Sequence, residues 1–411
     1  MREDNQPAVL LLDGNSLASL AFTRSLGRAG IHVTVADPAL DAPVRHSRYC
    51  ARYLQYPSPL DHPEAFREWL FHEAANGGHG LLIGTTDYTL PLLDEWREAL
   101  SAHLRVALPA RDAFRRAYDK AATLELAREA GLAIPPTHLP RSMEELERLA
   151  AGSRWPLVIK PRSSVLASQQ RRSAAGVEYA WNAEELRQRY AAVHEKSPWP
   201  MVQEYVSGAG AGCFFLIRDA CVLAQFQHLR IRDKNPTGSG SCLRLSVPPD
   251  EALMASSERL LRGMGWDGLA MVEFKVDADG MAYLMEVNPR PWGSMQLAVE
   301  AGVDFPLLWY RVWTGAPVEP VLNYQSGILC RYLVGDLKHL ESVLNGPPPG
   351  WRLPYPKRLP TLLNFLRFWG RNLRYDDFAA GDWRPGLAEL GAHFRELAGH
   401  LFRKLRRAGG A

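Results

Sequence analysis

Two glutamates and an asparagine near residue 280 have the types and spacing expected of a site for a hard metal ion. Glu273 and Glu286 lie in two apolar runs that flank Asp279-Gly280, a dipeptide typical of a two-residue type I′ hairpin turn. Such a turn places Glu273 opposite Glu286, and Asn288 shares the face of Glu286 because strand side chains alternate. Two carboxylates that face each other repel unless a cation lies between them. Carboxylate and amide oxygens suit Mg²⁺ or Mn²⁺ better than zinc.

The alternative to a metal site is an exposed hairpin edge whose acidic residues pair with Lys or Arg. The residues around the hairpin favour the metal site. Glu273, followed by Glu286-Val-Asn288-Pro-Arg290, resembles the metal-binding end of the ATP-grasp superfamily. These enzymes are ligases that activate a carboxylate with ATP. The resemblance implies that Glu273, Glu286 and Asn288 hold the magnesium ions that bridge the ATP phosphates. It also implies that Arg290 is catalytic, because a cation there neutralises the transferred phosphoryl group.

Two lysines have positions that favour contact with phosphate. Asp119 is a good N-cap for a helix that ends before Gly131, so Lys120 falls in the first turn, where the helix dipole disfavours a cation. Lys160 ends a short apolar strand just before Pro161, and its side chain must reach either water or an anion. Each could be an ordinary surface lysine. Both match positions at which ATP-grasp enzymes contact the ATP phosphates.

The segment 201–208 resembles the hinge strand whose backbone borders the adenine in this superfamily. The matching positions are Gln203, Glu204 and Val206, although the segment taken alone is an ordinary strand. The acidic residue that often follows and binds the ribose is not evident. Residues 163–176 match the loop that folds over the nucleotide, but a single glycine, at the end of this loop, makes cradling by backbone amides doubtful. Its Ser hydroxyls and Arg side chains could serve instead.

Three further residues are candidates for substrate binding. Arg230 and Arg232 lie in a basic stretch, residues 228–241, that resembles a segment of the predicted carboxylate–amine ligase branch, which includes D-aspartate ligases. They could contact a substrate or a phosphate, or belong to a solvated loop. Asp87 follows a predicted strand at the edge where open α/β sheets bind ligands. It could equally be a turn former.

The first 110 residues alternate between strand and helix patterns, which predicts a parallel sheet. The first turn, Asp13-Gly14-Asn15-Ser16, has one glycine where the dinucleotide fingerprint needs three, so a nicotinamide cofactor is not expected. With the resemblance, the predicted fold class is α/β and α+β. It comprises a Rossmann-like N-terminal domain at 1–113, an ATP-grasp domain at 114–320 and a mostly helical C-terminal extension at 321–411. Within the extension, residues 362–375 are apolar and arginine-rich, and we expect core packing or a subunit contact rather than membrane binding.

Composition sets the remaining bounds. The 411 residues are 46% hydrophobic and 23% charged, which is typical of a globular protein of two or three domains. A net charge of +3, without a basic tract interleaved with aromatics, argues against a nucleic-acid partner. The five cysteines show no metal-binding spacing and are expected to be reduced thiols. No apolar run reaches the length of a transmembrane segment and no signal peptide is evident, so we expect a cytoplasmic protein.

Together these features imply an ATP-dependent carboxylate–amine ligase that forms an amide through an acyl phosphate and releases ADP. Its partners would be small-molecule carboxylate and amine substrates, with ATP and Mg²⁺ or Mn²⁺ as cofactors. One alternative is an ATP-dependent carboxylase or carbamoyl-phosphate-type enzyme, although large biotin- or glutamine-handling domains are absent. The other is a non-catalytic ATP-binding sensor, against which the intact metal triad argues. The sequence leaves a homodimer open and identifies neither substrate.

Overall fold

The computed structural model describes residues 6–162, 165–167, 172–174 and 177–408, and for residues 165–167, 172–174 and 400–408 it describes the backbone alone. The N-terminal part is a parallel five-stranded sheet in the order β3-β2-β1-β4-β5. Its elements are β1 Val9–Leu11, α1 Leu17–Arg28, β2 Val33–Asp37, β3 Arg52–Gln55, α2 Pro63–Asn76, β4 Leu81–Ile83, α3 Leu90–Ser101 and β5 Arg105–Val106, with a 3₁₀ turn at Pro43–His46. Alternate residues of β1 pack into two different apolar clusters, so both faces of this sheet are covered.

The turn after β1 is organised around a buried carboxylate. Asp13 has a φ of 64° and accepts hydrogen bonds from the Thr85 backbone N–H and the Thr89 and Tyr56 hydroxyls. Burial raises the pKa of Asp13, although these donors oppose the shift. Because its oxygens are already satisfied, Asp13 fixes the ends of β1 and β4 relative to each other. Two residues later, Asn15 donates its backbone N–H to Asp37 Oδ2 at 2.9 Å, which holds Asn15 at the carboxyl edge of the sheet.

Two helices lead into a small antiparallel sheet in the order β10-β7-β11-β6. The elements are α4 Arg111–Tyr118, α5 Lys120–Glu129, β6 Thr137–His138, α6 Met143–Gly152, β7 Leu157–Lys160, β8 Val165–Ala167, β9 Arg172–Ala174, β10 Glu178–Ala180, α7 Ala183–His194 and β11 Met201–Glu204. Asp119 caps α5 by accepting from Ala121 N–H at 2.9 Å, as predicted. Strands β8 and β9 pair within the predicted nucleotide loop, whose side chains lie outside the described residues.

The remaining strands form a seven-stranded sheet in the order β16-β15-β12-β13-β14-β17-β18. The elements are β12 Ala209–Arg218, β13 Cys221–Asn235, β14 Ser239–Ser246, α8 Glu251–Gly263, β15 Gly268–Val276, β16 Ala282–Asn288, α9 Met295–Glu300, α10 Phe305–Thr314, β17 Leu329–Arg331, α11 Leu333–Asn345, α12 Arg358–Phe365, β18 Leu373–Tyr375 and α13 Arg384–Ala408. The C-terminal extension is mostly helical, as predicted. It also adds β17 and β18 to the edge of the large sheet, beside β14.

A buried arginine ties the extension to the first helix. Arg24 of α1 donates its Nε to Asp382 Oδ2 at 2.8 Å, and both side chains are about 1% exposed. Its other N–H groups donate to the backbone carbonyls of Asp376, Asp377 and Asp382. Every polar group of this guanidinium is therefore directed at one loop, residues 376–382. A buried ion pair with additional hydrogen bonds of this kind is sensitive to the loss of either partner.

The same loop is also fixed to the large sheet. Arg244 of β14 forms a buried ion pair with Asp376. Asp377 accepts from the backbone N–H groups of Leu333 and Val334, where α11 begins. The loop thus joins the N-terminal sheet, the large sheet and the extension through paired buried charges.

Residues 362–375 differ from the prediction. Of the two alternatives, core packing is wrong for Leu363, Leu366 and Trp369, which are exposed, whereas a subunit contact stays a prediction. Across the part of the chain that is described, no helix is both long enough and apolar enough to cross a membrane. The five cysteines, all within the described residues, are free thiols, as predicted.

Candidate active site

The β15–β16 hairpin has a different turn from the predicted one. Asp277 N–H donates to the Met281 carbonyl at 3.0 Å and closes a three-residue loop in which Gly280 has a φ of 83°. The Asp277 carboxylate accepts from the backbone N–H groups of Asp279 and Met281, which stabilises this longer loop. The prediction of a two-residue type I′ turn is therefore wrong.

A β-bulge compensates for the longer turn. Phe274 pairs with Leu284, whereas the next residue, Glu273, pairs with Glu286, so that Met285 is the extra residue on β16. The predicted pairing of Glu273 with Glu286 is therefore confirmed. Without the bulge, Glu286 would face Val272 and lie on the core side of the sheet.

Each of the two glutamates forms an ion pair with a cation. Lys120 Nζ lies 2.9 Å from Glu286 Oε2, and Arg230 Nη2 lies 2.7 Å from Glu273 Oε2. Asn288 donates its Nδ2 to Glu286 Oε1 at 3.2 Å, which places the amide beside the carboxylate, as predicted. Among the described residues no three His, Cys, Asp or Glu side chains form a metal-binding group. The set of two carboxylates and one amide nevertheless has the oxygen ligands that Mg²⁺ accepts.

Electrostatics keep Glu286 and Lys120 charged. Burial would raise the pKa of Glu286, but Lys120 and then Arg290 and Lys160 lower it well below its usual range. Burial would likewise lower the pKa of Lys120, and the charge of Glu286 outweighs that effect and raises it. The pair is therefore fully ionised near neutral pH.

Lys160 behaves differently. Desolvation, with a smaller contribution from nearby Lys120, lowers its pKa to about 8. Its Nζ donates to Gln203 Oε1 at 2.7 Å, and Gln203 in turn donates to the Thr137 hydroxyl at 2.8 Å. The Gln203 side chain thus positions Lys160 at the mouth of the predicted phosphate site. Lys160 loses its charge in the mildly alkaline range.

The hinge strand β11 lies between β7 and β6 in the small sheet. Glu204 donates its backbone N–H to the Pro136 carbonyl at 2.9 Å, which holds the strand end in place. Val206 follows two residues later. The adenine contacts expected of Gln203, Glu204 and Val206 stay predictions.

Arg290 is held by a residue that we expected to bind substrate. Its Nε donates to Asp87 Oδ2 at 2.9 Å, and the Tyr118 hydroxyl donates to Asp87 Oδ1 at 2.8 Å. Both oxygens of Asp87 therefore accept from the protein itself. Asp87 thus contacts Arg290 directly, and the substrate contact expected of it stays a prediction.

The two arginines of β13 point to opposite sides of the sheet. Arg230 lies in the site beside Glu273, whereas Arg232 forms an ion pair with Asp336 of α11. On a regular strand two residues two positions apart share a face, but a β-bulge at Ile231 breaks the alternation here. Arg232 therefore lies outside the lining of the candidate site, and its substrate role stays a prediction.

A cavity of about 590 Å³ brings most of the predicted residues together, a volume typical of small-molecule sites. Its lining includes Lys120, Lys160, Gln203, Glu204, Val206, Arg230, Glu273, Glu286, Asn288 and Arg290, together with Asn15 from the N-terminal sheet. The sequence analysis missed Asp233, which also lines it. Asp233 Oδ1 is buried without a hydrogen-bond partner among the described residues, and burial raises the pKa of this carboxyl. Asp233 was missed because it lies between Arg232 and Lys234, in a stretch that was interpreted as basic.

Comparisons with known proteins agree with this geometry. The profile of the family described as "ATP-grasp in the biosynthetic pathway with Ter operon" matches residues 221–334, which contain Arg290 and the three predicted metal ligands. The D-alanine–D-alanine ligase of Gloeobacter violaceus is 26% identical over 314 residues, which cover 71% of this chain and 91% of that protein. The corresponding ligase of Geobacter sulfurreducens is 25% identical over 219 residues, and the match spans 49% of this chain and 66% of that ligase.

Solved structures are similar in fold. The biotin carboxylase domain of the Hydrogenobacter thermophilus 2-oxoglutarate carboxylase, solved with MgADP and bicarbonate, has a TM-score of 0.65 at 15% identity and covers 79% of this chain and 74% of its own. The L-amino acid ligase of Bacillus licheniformis has a TM-score of 0.58 at 18% identity, with 77% and 76% covered. Likeness at these identities defines the fold, which is the ATP-grasp fold. Over residues 221–334 the chain is similar to this ATP-grasp family, and the curated relatives named above are ligases.

Proposed function

We propose that the protein is an ATP-dependent carboxylate–amine ligase that forms an amide through an acyl phosphate and releases ADP. The observation that supports this most directly is the pairing of Glu273 with Glu286 in a cavity whose lining includes seven Lys and Arg residues, among them Lys120, Lys160, Arg230 and Arg290. Phosphoryl transfer is catalysed mainly by positioning and by charges placed where negative charge develops. The curated relatives with the D-alanine–D-alanine ligase name join a carboxylate to an amine, which fits this proposal.

In this proposal Glu273, Glu286 and Asn288 hold Mg²⁺, and Lys120 and Lys160 bind the ATP phosphates. Bound Mg²⁺ would offset the charge of the phosphate oxygens. Lys120 and Arg230 now neutralise the two glutamates. Nucleotide binding would therefore transfer these cations from carboxylate to phosphate, at little electrostatic cost. Gln203, Glu204 and Val206 would border the adenine.

Arg290 would stabilise the transferred phosphoryl group, with Asp87 fixing the orientation of its guanidinium. A carboxylate oxygen of the substrate attacks the γ-phosphorus, and the bond from that phosphorus to the bridging oxygen breaks to release ADP. The amine nitrogen then attacks the acyl carbon, phosphate leaves, and the nitrogen loses a proton. Asp233, whose Oδ1 has no partner among the described residues, is our candidate for holding the ammonium group of the amine and for taking the proton that this group must lose before its nitrogen attacks. No protein nucleophile is required.

The reaction class can be tested with hydroxylamine as a surrogate amine. We expect ADP release that depends on a carboxylate, and formation of a hydroxamate, because an acyl phosphate is electrophilic at carbon. The measurement is ADP and hydroxamate yield across a panel of amino acids, short acyl acids and bicarbonate. Once an amine is identified, Asp233→Asn should raise the KM for the amine and leave the KM for ATP unchanged.

Other outcomes would contradict the proposal in distinct ways. Turnover with bicarbonate alone would favour the carboxylase or carbamoyl-phosphate alternative. Release of AMP would contradict γ-phosphoryl transfer, because adenylation attacks the α-phosphorus. Tight ATP binding without turnover on any acid of the panel would favour the sensor.

The pKa of Lys160 gives a pH dependence with a defined sign. Below about pH 8 this lysine is charged and attracts phosphate, and above that pH it becomes neutral. We expect the Kd for ATP to rise by up to about tenfold per pH unit above pH 8, with proton uptake on binding. Isothermal titration calorimetry in buffers of different ionisation enthalpy measures both. Lys160→Arg, which stays charged, should abolish this dependence, and an unchanged profile in that variant would exclude Lys160 as its origin.

A further inference from the structure

An exposed apolar patch lies on α12 and the loop that follows it. Its members are Leu359, Leu363, Leu366 and Trp369, which are 65%, 56%, 53% and 89% exposed. Trp369 has the largest exposed fraction among the large hydrophobic side chains of the described chain. Large apolar side chains concentrated in this way mark an interaction surface, whereas isolated ones are ordinary.

Positively charged side chains surround the patch, and the same segment has no acidic residue to neutralise them. Residues 355–375 contain five cations and no Asp or Glu. One of them, Arg374, pairs with Glu300. The other four form no ion pair with any described residue and make up the cationic rim of the patch: Lys357, Arg358, Arg367 and Arg371.

A second cavity, of about 930 Å³, opens beside the patch, and Trp369 belongs to both. Arg367, Arg371 and Lys357 line it together with Trp369. The large sheet contributes apolar residues to its lining, Ile231, Leu243, Leu329 and Leu373, and also the charged Arg232, Asp233 and Arg331. The rim cations therefore stand between the apolar part of this lining and the exposed apolar side chains of the patch. This combination suits a ligand that is both anionic and apolar.

We propose that the apolar patch and its cationic rim bind the surface of a bilayer that contains anionic phospholipids. Leucine and tryptophan side chains enter the boundary between headgroups and acyl chains, while lysine and arginine contact the lipid phosphates. Tryptophan is favoured at this boundary because its ring is apolar and its N–H is polar. The protein lies on such a surface and does not span it.

A second copy of the chain fits the patch less well. A two-fold symmetric interface brings a patch against itself, so the four unpaired cations of one copy would face the same four of the other. An anionic surface removes that repulsion. The protruding Trp369 side chain also needs a soft medium that can admit it, which a bilayer interface provides.

Vesicle flotation tests the proposal. The purified full chain should bind vesicles of 70% phosphatidylcholine and 30% phosphatidylglycerol and not vesicles of phosphatidylcholine alone, with binding that weakens from 50 to 500 mM salt. Leu363→Glu and the double variant Arg367→Ala/Arg371→Ala should each reduce the bound fraction at least about tenfold. Leu40→Glu is the matched control, because Leu40 is 67% exposed outside the patch and should leave binding unchanged. Thermal unfolding verifies that each variant is folded.

Several results would overturn the proposal. Absence of binding by the wild-type chain, or equal binding to both vesicle types, would exclude recognition of anionic lipid. If Leu363→Glu and Leu40→Glu reduce vesicle binding to the same extent, this patch is excluded as the binding site. A concentration-dependent dimer that Leu363→Glu dissociates, without vesicle binding, would assign the patch to a second copy. Binding to polyglutamate without vesicle binding would assign it to an acidic protein.

Discussion

Glu286→Gln is expected to abolish ATP turnover, with a fall of about 10³-fold or more, equivalent to about 4 kcal/mol of transition-state stabilisation. The substitution keeps the volume of the side chain and removes the charge that pairs with Lys120 and that would hold Mg²⁺. ADP release at saturating ATP and carboxylate measures the effect. Nucleotide binding, measured separately, distinguishes loss of chemistry from loss of affinity.

The control for this experiment is Glu319→Gln, which removes a carboxylate of an exposed residue and should leave turnover unchanged. Because Glu286→Gln also leaves Lys120 without its ion-pair partner, the thermal unfolding of the variant must be compared with that of the wild type. Wild-type turnover in a folded Glu286→Gln protein would mean that the hairpin acids serve structure alone.

The largest effect on stability is expected from Arg24→Met. Asp382 would keep its bonds from the Ser47 hydroxyl and the Arg48 N–H but lose its buried cation, and three backbone carbonyls would lose donors. Breaking a buried pair from one side costs about 3–5 kcal/mol. We expect the midpoint of urea unfolding, measured by circular dichroism, to be clearly lower in Arg24→Met than in the wild type.

Arg28→Met provides the comparison on the same helix, because Arg28 is exposed and forms no ion pair with a described residue. Its effect should stay within about 0.5 kcal/mol. Adding Asp382→Asn to Arg24→Met should cost less than the sum of the two single substitutions, since the two side chains form one ion pair. Equal midpoints for Arg24→Met and Arg28→Met would show that the loop 376–382 is held by other contacts.

The features that the sequence predicted well are local ones. Asp119 caps α5 because a side-chain oxygen at that position meets the first free N–H groups of the helix, whatever surrounds it. The parallel sheet likewise follows from the alternation of short apolar runs with helical patterns. The pairing of Glu273 with Glu286 was predicted correctly through two errors that cancel, since the longer loop at Gly280 and the bulge at Met285 shift the register in opposite directions.

The features that the sequence could not predict depend on distant contacts. Asp87 binds Arg290 across 203 residues, and no local pattern indicates that this carboxylate would find a guanidinium before a substrate. Arg232 is turned away from the site by a bulge at Ile231, and side-chain alternation alone gives no sign of a bulge. Asp233 reaches the site from the same irregular part of β13. Backbone irregularities of this kind arise from the packing of the whole sheet.

The contact between Arg24 and Asp382 also has a consequence for synthesis on the ribosome. The two residues are 358 positions apart, so at about 5–20 residues per second roughly 20–70 s pass between their incorporation. During that interval the guanidinium of α1 lacks the acceptors that it has in the finished protein. The first helix can complete its packing only after residues 376–382 have emerged from the ribosome, and until then the surface of α1 that receives this loop is available to chaperones.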